Sequence, residues 1–184
     1  KQKLFTLLEE NKQQFFDASD AIWDMPELSL SEHTAAEIYV KMLAELGFEV
    51  QENVAGMKTA FSGSYGSGKP VIGILGEFDA LSGLSQIADV AEQMSAGGEA
   101  GHGCGHNLLG AASMAAAVAL KDYMVENNIP GTIRYYGCPA EENAGGKAFL
   151  VREGCFDDCD IALTWHPGWT NGVTGSGSLA NFRV

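Results

Sequence analysis

Gly101-His102-Gly103-Cys104-Gly105-His106-Asn107 sets two side chains able to bind a metal, Cys104 and His106, two positions apart among glycines. An alanine-rich run follows at once; Leu108–Asn127 predicts a helix, with Asn107 as its N-cap and Pro130 beyond its end. Residues two apart share no helix face, so Cys104 and His106 can ligate together only from a non-helical loop, which the glycines permit. A helix N-terminus just beyond them favours thiolate, the form that binds metal. On residue types alone two descriptions fit equally well: a metal loop, or a tight glycine turn with a small buried thiol and a surface imidazole. A phosphate cradle fits less well, because no Lys-Ser/Thr pair is present and no strand leads in.

Outward from this stretch, strands and helices alternate. Pro70–Gly76 is a continuous apolar run, the pattern of a central strand buried on both faces, and Glu77-Phe78-Asp79 follows at its C-terminal end. Thr132–Cys138 predicts the next strand, ending at Pro139-Ala140-Glu141-Glu142. A short helix over Gly146–Glu153 leads to a strand over Asp160–Trp165, then His166. Nearer the start, Leu4–Asp24 and Ser31–Leu46 carry apolar residues at helical spacing, broken by Met25-Pro26-Glu27, with Ser31 a candidate N-cap and Gly47 a stop. Phe48–Val54 and Thr59–Ser64 read as strands, with a turn at Gly56 and a polar hairpin tip over Ser62–Lys69. Ser82–Ala100 is a long connection without a strong period.

This alternation predicts an α/β fold, a sheet covered by helices on both faces. Ligands of such sheets bind beyond the carboxyl ends of the strands. Glu77/Asp79, Glu141/Glu142 and His166 each follow a strand, and Cys104/His106 precedes a helix, so all are expected to converge. Taken singly, each has a plain alternative. Glu141-Glu142 in extended backbone points to opposite sides, which suits one carboxylate on a metal and one facing water as general base, but also suits two solvated acids. His166 fits a ligand or a hydrogen-bonded structural histidine. Asp79 fits a carboxylate that orients a ligating histidine, or a turn cap. His33, beside Glu32 and Glu37, reads as surface, and His102 as a support for the loop. Cys138, Cys155 and Cys159 read as packing thiols.

The totals exclude several classes. A formal charge of −13 repels phosphate backbones and anionic membranes. The only arginines are Arg134, Arg152 and Arg183, so anion clamps are scarce. At 184 residues, 46% apolar and 19% charged, the chain suits one core of an ordinary soluble domain. No apolar run is expected to span a membrane, and the start lacks a signal-peptide pattern. Four cysteines make no disulfide framework, which points to a cytoplasmic home. Residue 1 is Lys, and Ser178–Val184 enters an alternating strand-like pattern and stops. The chain is therefore expected to be a fragment of a longer one.

In order along the chain, MPELSLSEHTA, LGEFDALSGLSQ, GHGCGHNLLGAA, YYGCPAEENAGGKAFLVREGCFDD and ALTWHP resemble the aminoacylase/carboxypeptidase-type, peptidase M20-like, binuclear metal amidohydrolases. The resemblance covers nearly the whole chain. It implies a three-layer αβα catalytic domain with a mostly parallel or mixed sheet. Residues 1–184 would form its N-terminal part, and the inserted dimerisation domain and C-terminal catalytic part would lie outside them. It implies Cys104, His106, Glu142 and His166 as metal ligands, Glu141 as general base and Asp79 as the carboxylate that steadies the site. Glu77 stands where many relatives have a histidine, so its role is open. The implied cofactors are two divalent ions, Zn or Mn. The implied substrate is an N-acyl or N-aroyl amino acid, p-aminobenzoyl-glutamate among the candidates. The implied assembly is a homodimer or a heteromer with a related subunit. The competing expectations are a partner-dependent or non-catalytic subunit that keeps the fold and, ranked lower, a structural zinc domain.

Overall fold

The computed structural model describes residues 1–170 and 172. The pattern over Ser178–Val184 lies outside the described residues. The chain opens with two helices, α1 (Gln2–Asp24) and α2 (His33–Glu45), then β1 (Glu49–Glu52) and, after a short 3-10 turn, β2 (Phe61–Ser67). Next come β3 (Val71–Gly76), the two-residue strands β4 (Leu81–Ser82) and β5 (Ala100–Gly101), and α3 (His106–Glu126). The rest is β6 (Gly131–Gly137), α4 (Glu141–Ala144), α5 (Gly146–Arg152) and β7 (Ile161–Leu163).

Among the described residues the main sheet has five strands in the order β1-β2-β6-β3-β7. β3 is parallel to both β6 and β7, whereas β2 runs antiparallel to β6 and to β1. The sheet is thus mixed, with a parallel half made by β6, β3 and β7. Because side chains alternate along a strand, β6 divides the core. Ile133 and Tyr135 join α1, α2 and α3 through Phe15, Tyr39 and Met114 on one face. Tyr136 and Cys138 join Leu150 of α5 and the 3-10 turn residue Val54 on the other. Helices therefore cover both faces, giving the expected αβα layering.

Several local expectations need correction. Ser31 is not the cap of α2. The Glu27 carboxylate accepts the N–H groups of Thr34 and Ala35 at 3.0 Å each, doing from outside the helix what a cap does at its start. Asn107 lies inside α3, with its amide donating to Ser19 of α1. The cap position is Gly105, in the left-handed region at φ 76°, which glycine adopts without strain. β2 runs to Ser67, so most of the expected hairpin tip is strand paired with β6. Finally, α3 is long and apolar enough to cross a membrane by length and composition. It packs instead between α1 and the sheet, as the core helix of the domain.

Candidate metal centre

In the parallel half of the sheet, β3, β6 and β7 all end at the same edge. The loops beyond them carry Glu77 and Asp79, Glu141 and Glu142, and His166. The loop after β5 brings Cys104 and the first residue of α3, His106, to the same place. His106 is fully buried at the middle of the group. Its Nδ1 lies 2.9 Å from Asp79 Oδ1, and a carboxylate only accepts, so Nδ1 carries the hydrogen. That leaves Nε2 facing the cluster, 3.0 Å from Glu77 Oε2 and 3.8 Å from Glu142 Oε1.

His166 is held the same way from outside. Its Nδ1–H donates to its neighbour's carbonyl, Pro167 O, at 2.9 Å, and Nε2 lies 3.1 Å from Cys104 Sγ. The His106 and His166 rings stand edge to face, with centroids 5.7 Å apart. One ligand atom from each of Cys104, His106 and His166 lies within 4.8 Å of the others, and the same holds for Glu77, His106 and Glu141.

Two atoms in this cluster, His106 Nε2 and Glu142 Oε1, are buried and make no hydrogen bond among the described residues. Nε2 is close to Glu77 yet not aligned to donate to it. Buried polar atoms normally have partners. Two orphans facing each other suit a shared cation. Ligands of one tetrahedral zinc sit roughly 3.3–3.6 Å apart, and the spacings of 3.1 and 3.8 Å fall on either side of that range. The donor set of thiol, imidazole and carboxylate fits a divalent transition ion.

The electrostatics agree. Burial opposes a charge on His106, but the Asp79 and Glu77 carboxylates prevail and lift its pKa to about 10. Burial raises Asp79 and Glu77 in turn, and His106 outweighs it, aided by the Glu142 N–H for Asp79 and by Lys147 for Glu77, so both fall below their ordinary values. In the absence of an ion a proton on His106 neutralises these acids, and metal binding would displace it. The Cys104 thiol departs from expectation. Burial and the adjacent Glu142 carboxylate push it up to about 12, since close acids outweigh the partial charge of a helix end.

No family model matches the chain. It is 50% identical over 178 residues to one subunit of the p-aminobenzoyl-glutamate hydrolase of Escherichia coli, a match covering 96% of this chain and 37% of that protein. The chain is a relative of the M20-type hydrolases. It is 30% identical over 166 residues to the Xaa-Arg dipeptidase of Mus musculus, covering 83% of the chain and 35% of the relative. A solved Bacillus subtilis structure, described as a dinuclear metal binding peptidase from the M20 family, shares the fold. Its TM-score is 0.61 at 22% identity, over 83% of this chain and 42% of that one. The chain thus spans little more than a third of the length of these curated relatives.

In this M20 relative the residues implied as ligands, base or steadying carboxylate all reach the cluster: Cys104, His106, Glu142 and His166, with Glu141 and Asp79. Glu77, whose role the sequence leaves open, points into it. His33 is exposed, and His102 supports the loop, its Nε2 lying 3.1 Å from Ile22 O. Cys138, Cys155 and Cys159 pack against Tyr136 and Leu150 as expected. Glu141 and Glu142 are not extended. They form the first turn of α4, and their divergence is that of helix neighbours. Lys147, which sequence reasoning missed, pairs with Glu77 Oε1. Its signal was positional, because a lysine in the first turn of a helix opposes the helix dipole unless an acid compensates it.

Proposed function

We propose that this chain supplies most of the metal centre of an amidohydrolase that cleaves an N-acyl or N-aroyl amino acid. p-Aminobenzoyl-glutamate is the favoured substrate, from the name of the Escherichia coli relative. Cys104, His106, Glu142 and His166 would hold the metal, two divalent ions of zinc or manganese. The observation that carries this reading is that the buried atoms His106 Nε2 and Glu142 Oε1, 3.8 Å apart, make no hydrogen bond among the described residues. When bound, such ions polarise a carbonyl and lower the pKa of water toward about 7.

Asp79 keeps His106 in the tautomer whose Nε2 is free, and its second oxygen accepts the Glu142 N–H at 2.9 Å. One carboxylate thereby aligns two of the ligands. Glu141 is the general base. Burial, and then the charge of Glu77, raise its pKa above the ordinary glutamate value, which makes it a stronger base than a free carboxylate. It takes a proton from the attacking water on a carboxylate oxygen and delivers it to the leaving amine.

The rest of the catalytic domain and a dimerisation domain belong to the same proposal, as does assembly with a second copy or a related subunit. A cytoplasmic setting accords with four free thiols. The test is Glu141→Gln in the full-length protein, assayed on p-aminobenzoyl-glutamate with metal content measured alongside. Turnover is expected to drop by about 10²–10⁴-fold with metal retained. Unchanged turnover would remove Glu141 from the role.

A further inference from the structure

We infer that Glu32 is a positioning residue that holds the Glu141–Glu142 turn in register with the metal centre. The inference rests on the reading of that turn as base and ligand.

Glu32 is the last residue before α2, and glutamate is almost never fully buried unless paired. Here it is fully buried. Its Oε1 accepts the N–H of Ala140 at 2.8 Å, across 108 positions of sequence, and its Oε2 accepts the Thr59 hydroxyl at 3.0 Å. No cation pairs with it among the described residues. An uncompensated acid is a poor core filler, and an apolar residue of similar size would usually serve stability better. What Glu32 contributes is geometry at its acceptor end.

That end is unusual. Ala140 sits in the left-handed region at φ 59°, a conformation that a residue with a Cβ adopts only when its surroundings impose it. It is the residue before Glu141 and occupies the cap position of α4 without a capping side chain. The N–H of Ala140 goes to Glu32, and two residues later the N–H of Glu142 goes to Asp79. The turn is therefore pinned at both ends by buried carboxylates. The segment leading to Glu32 also reaches the other pin: Ser29 Oγ donates to Asp79 Oδ2 at 2.9 Å, and the Glu27 carbonyl accepts the Ala80 N–H at 2.8 Å. Residues 27–32 thus brace the loops beyond both β3 and β6, while none of them is in the ligand cluster.

Four variants of the full-length, metal-loaded protein test this on p-aminobenzoyl-glutamate. Glu32→Asp keeps the charge but withdraws the carboxylate by one carbon–carbon bond, about 1.5 Å. It is expected to lower kcat by about 10- to 100-fold, with KM and metal content little changed. Glu32→Gln retains an acceptor for Ala140 N–H and an amide able to donate to Thr59, and is expected to recover most of the activity. Thr59→Ala removes the other hydrogen bond, and is expected to lower the unfolding midpoint while keeping kcat. Glu141→Gln, inactive on the same reading, is the reference. Parental kcat in Glu32→Asp beside an inactive Glu141→Gln would overturn the positioning role alone. Equal losses of kcat in Thr59→Ala and Glu32→Asp would also overturn it, by showing a general packing effect. An active Glu141→Gln would overturn the reading of the turn and this inference with it.

Discussion

Asp79 and His106 face each other across a 2.9 Å hydrogen bond from which solvent is excluded on both sides. Asp79 also accepts from Ser29 and from the Glu142 N–H, so each oxygen of the carboxylate is engaged. This network orients His106 from behind. Asn at position 79 keeps one acceptor but turns an amide N–H₂ toward a donor. Asp79→Asn in the full-length protein is therefore expected to weaken metal binding by about 10- to 100-fold. Titration against a chromogenic chelator measures it, and parental affinity would show that His106 is oriented by something else.

Metal removal should expose a pH dependence with a definite sign. His106 is raised from 6.5 to about 10, burial opposing the shift and the Asp79 and Glu77 carboxylates producing it. A raised histidine adds stability that is complete below its unfolded value and lost as pH climbs through its folded one. Asp79 and Glu77 are lowered from 3.8 and 4.5, so their share is complete above those values and lost on acidification. The chelated protein is expected to be most stable between about pH 5 and pH 6.5 and to weaken progressively toward about pH 10. Thermal unfolding in chelator, scanned over pH, reads this directly. A midpoint that stays flat through the alkaline range would mean that His106 is not charged in the apoprotein.

What could be read in the sequence was the direction in which things point. The continuous apolar run at Pro70–Gly76 and the strand read over Thr132–Cys138 are strong signals, and Glu77, Asp79 and Glu141 follow their ends by simple counting. A parallel sheet then brings those ends to one edge. What could not be read was set by contacts distant in sequence. Asn107 is a good cap by residue type, yet its amide is drawn to Ser19, and Gly105 takes the cap position because the left-handed turn there requires it. Glu141 and Glu142 start a helix because Ala140 is forced left-handed by its surroundings, which no local propensity announces. Nothing near Glu32 in sequence shows that Thr59 and Ala140 will enclose its carboxylate.

At Gly110, α3 packs tightly against Glu77, just beyond the end of β3. A Cβ there would meet the Glu77 carbonyl oxygen at 2.7 Å and Tyr39 Oη at 2.6 Å. One of the two obstacles is backbone, so the helix itself must shift. Gly110→Ala is expected to cost about 1–3 kcal/mol of stability by overpacking, despite alanine's better helix propensity. Because His106 lies one turn earlier on the same helix, metal affinity should fall as well. A variant as stable as its parent would show that α3 can slide without cost.

Tyr39 offers a prediction of opposite sign. Its ring is fully buried among Phe61, Phe78 and Tyr135, meeting Phe78 edge to face with centroids 5.8 Å apart. Its Oη has no hydrogen-bond partner among the described residues, and burial pushes its pKa well above the ordinary tyrosine value. A buried hydroxyl left unpaired costs about 1–3 kcal/mol, whereas the ring supplies the packing. Tyr39→Phe keeps the ring and removes the orphan. It should therefore raise the urea midpoint by an amount corresponding to about 1 kcal/mol, with an unchanged m-value. A lower midpoint would mean that the hydroxyl has a partner such as ordered water, and that this part of the core is wetter than its apolar neighbours imply.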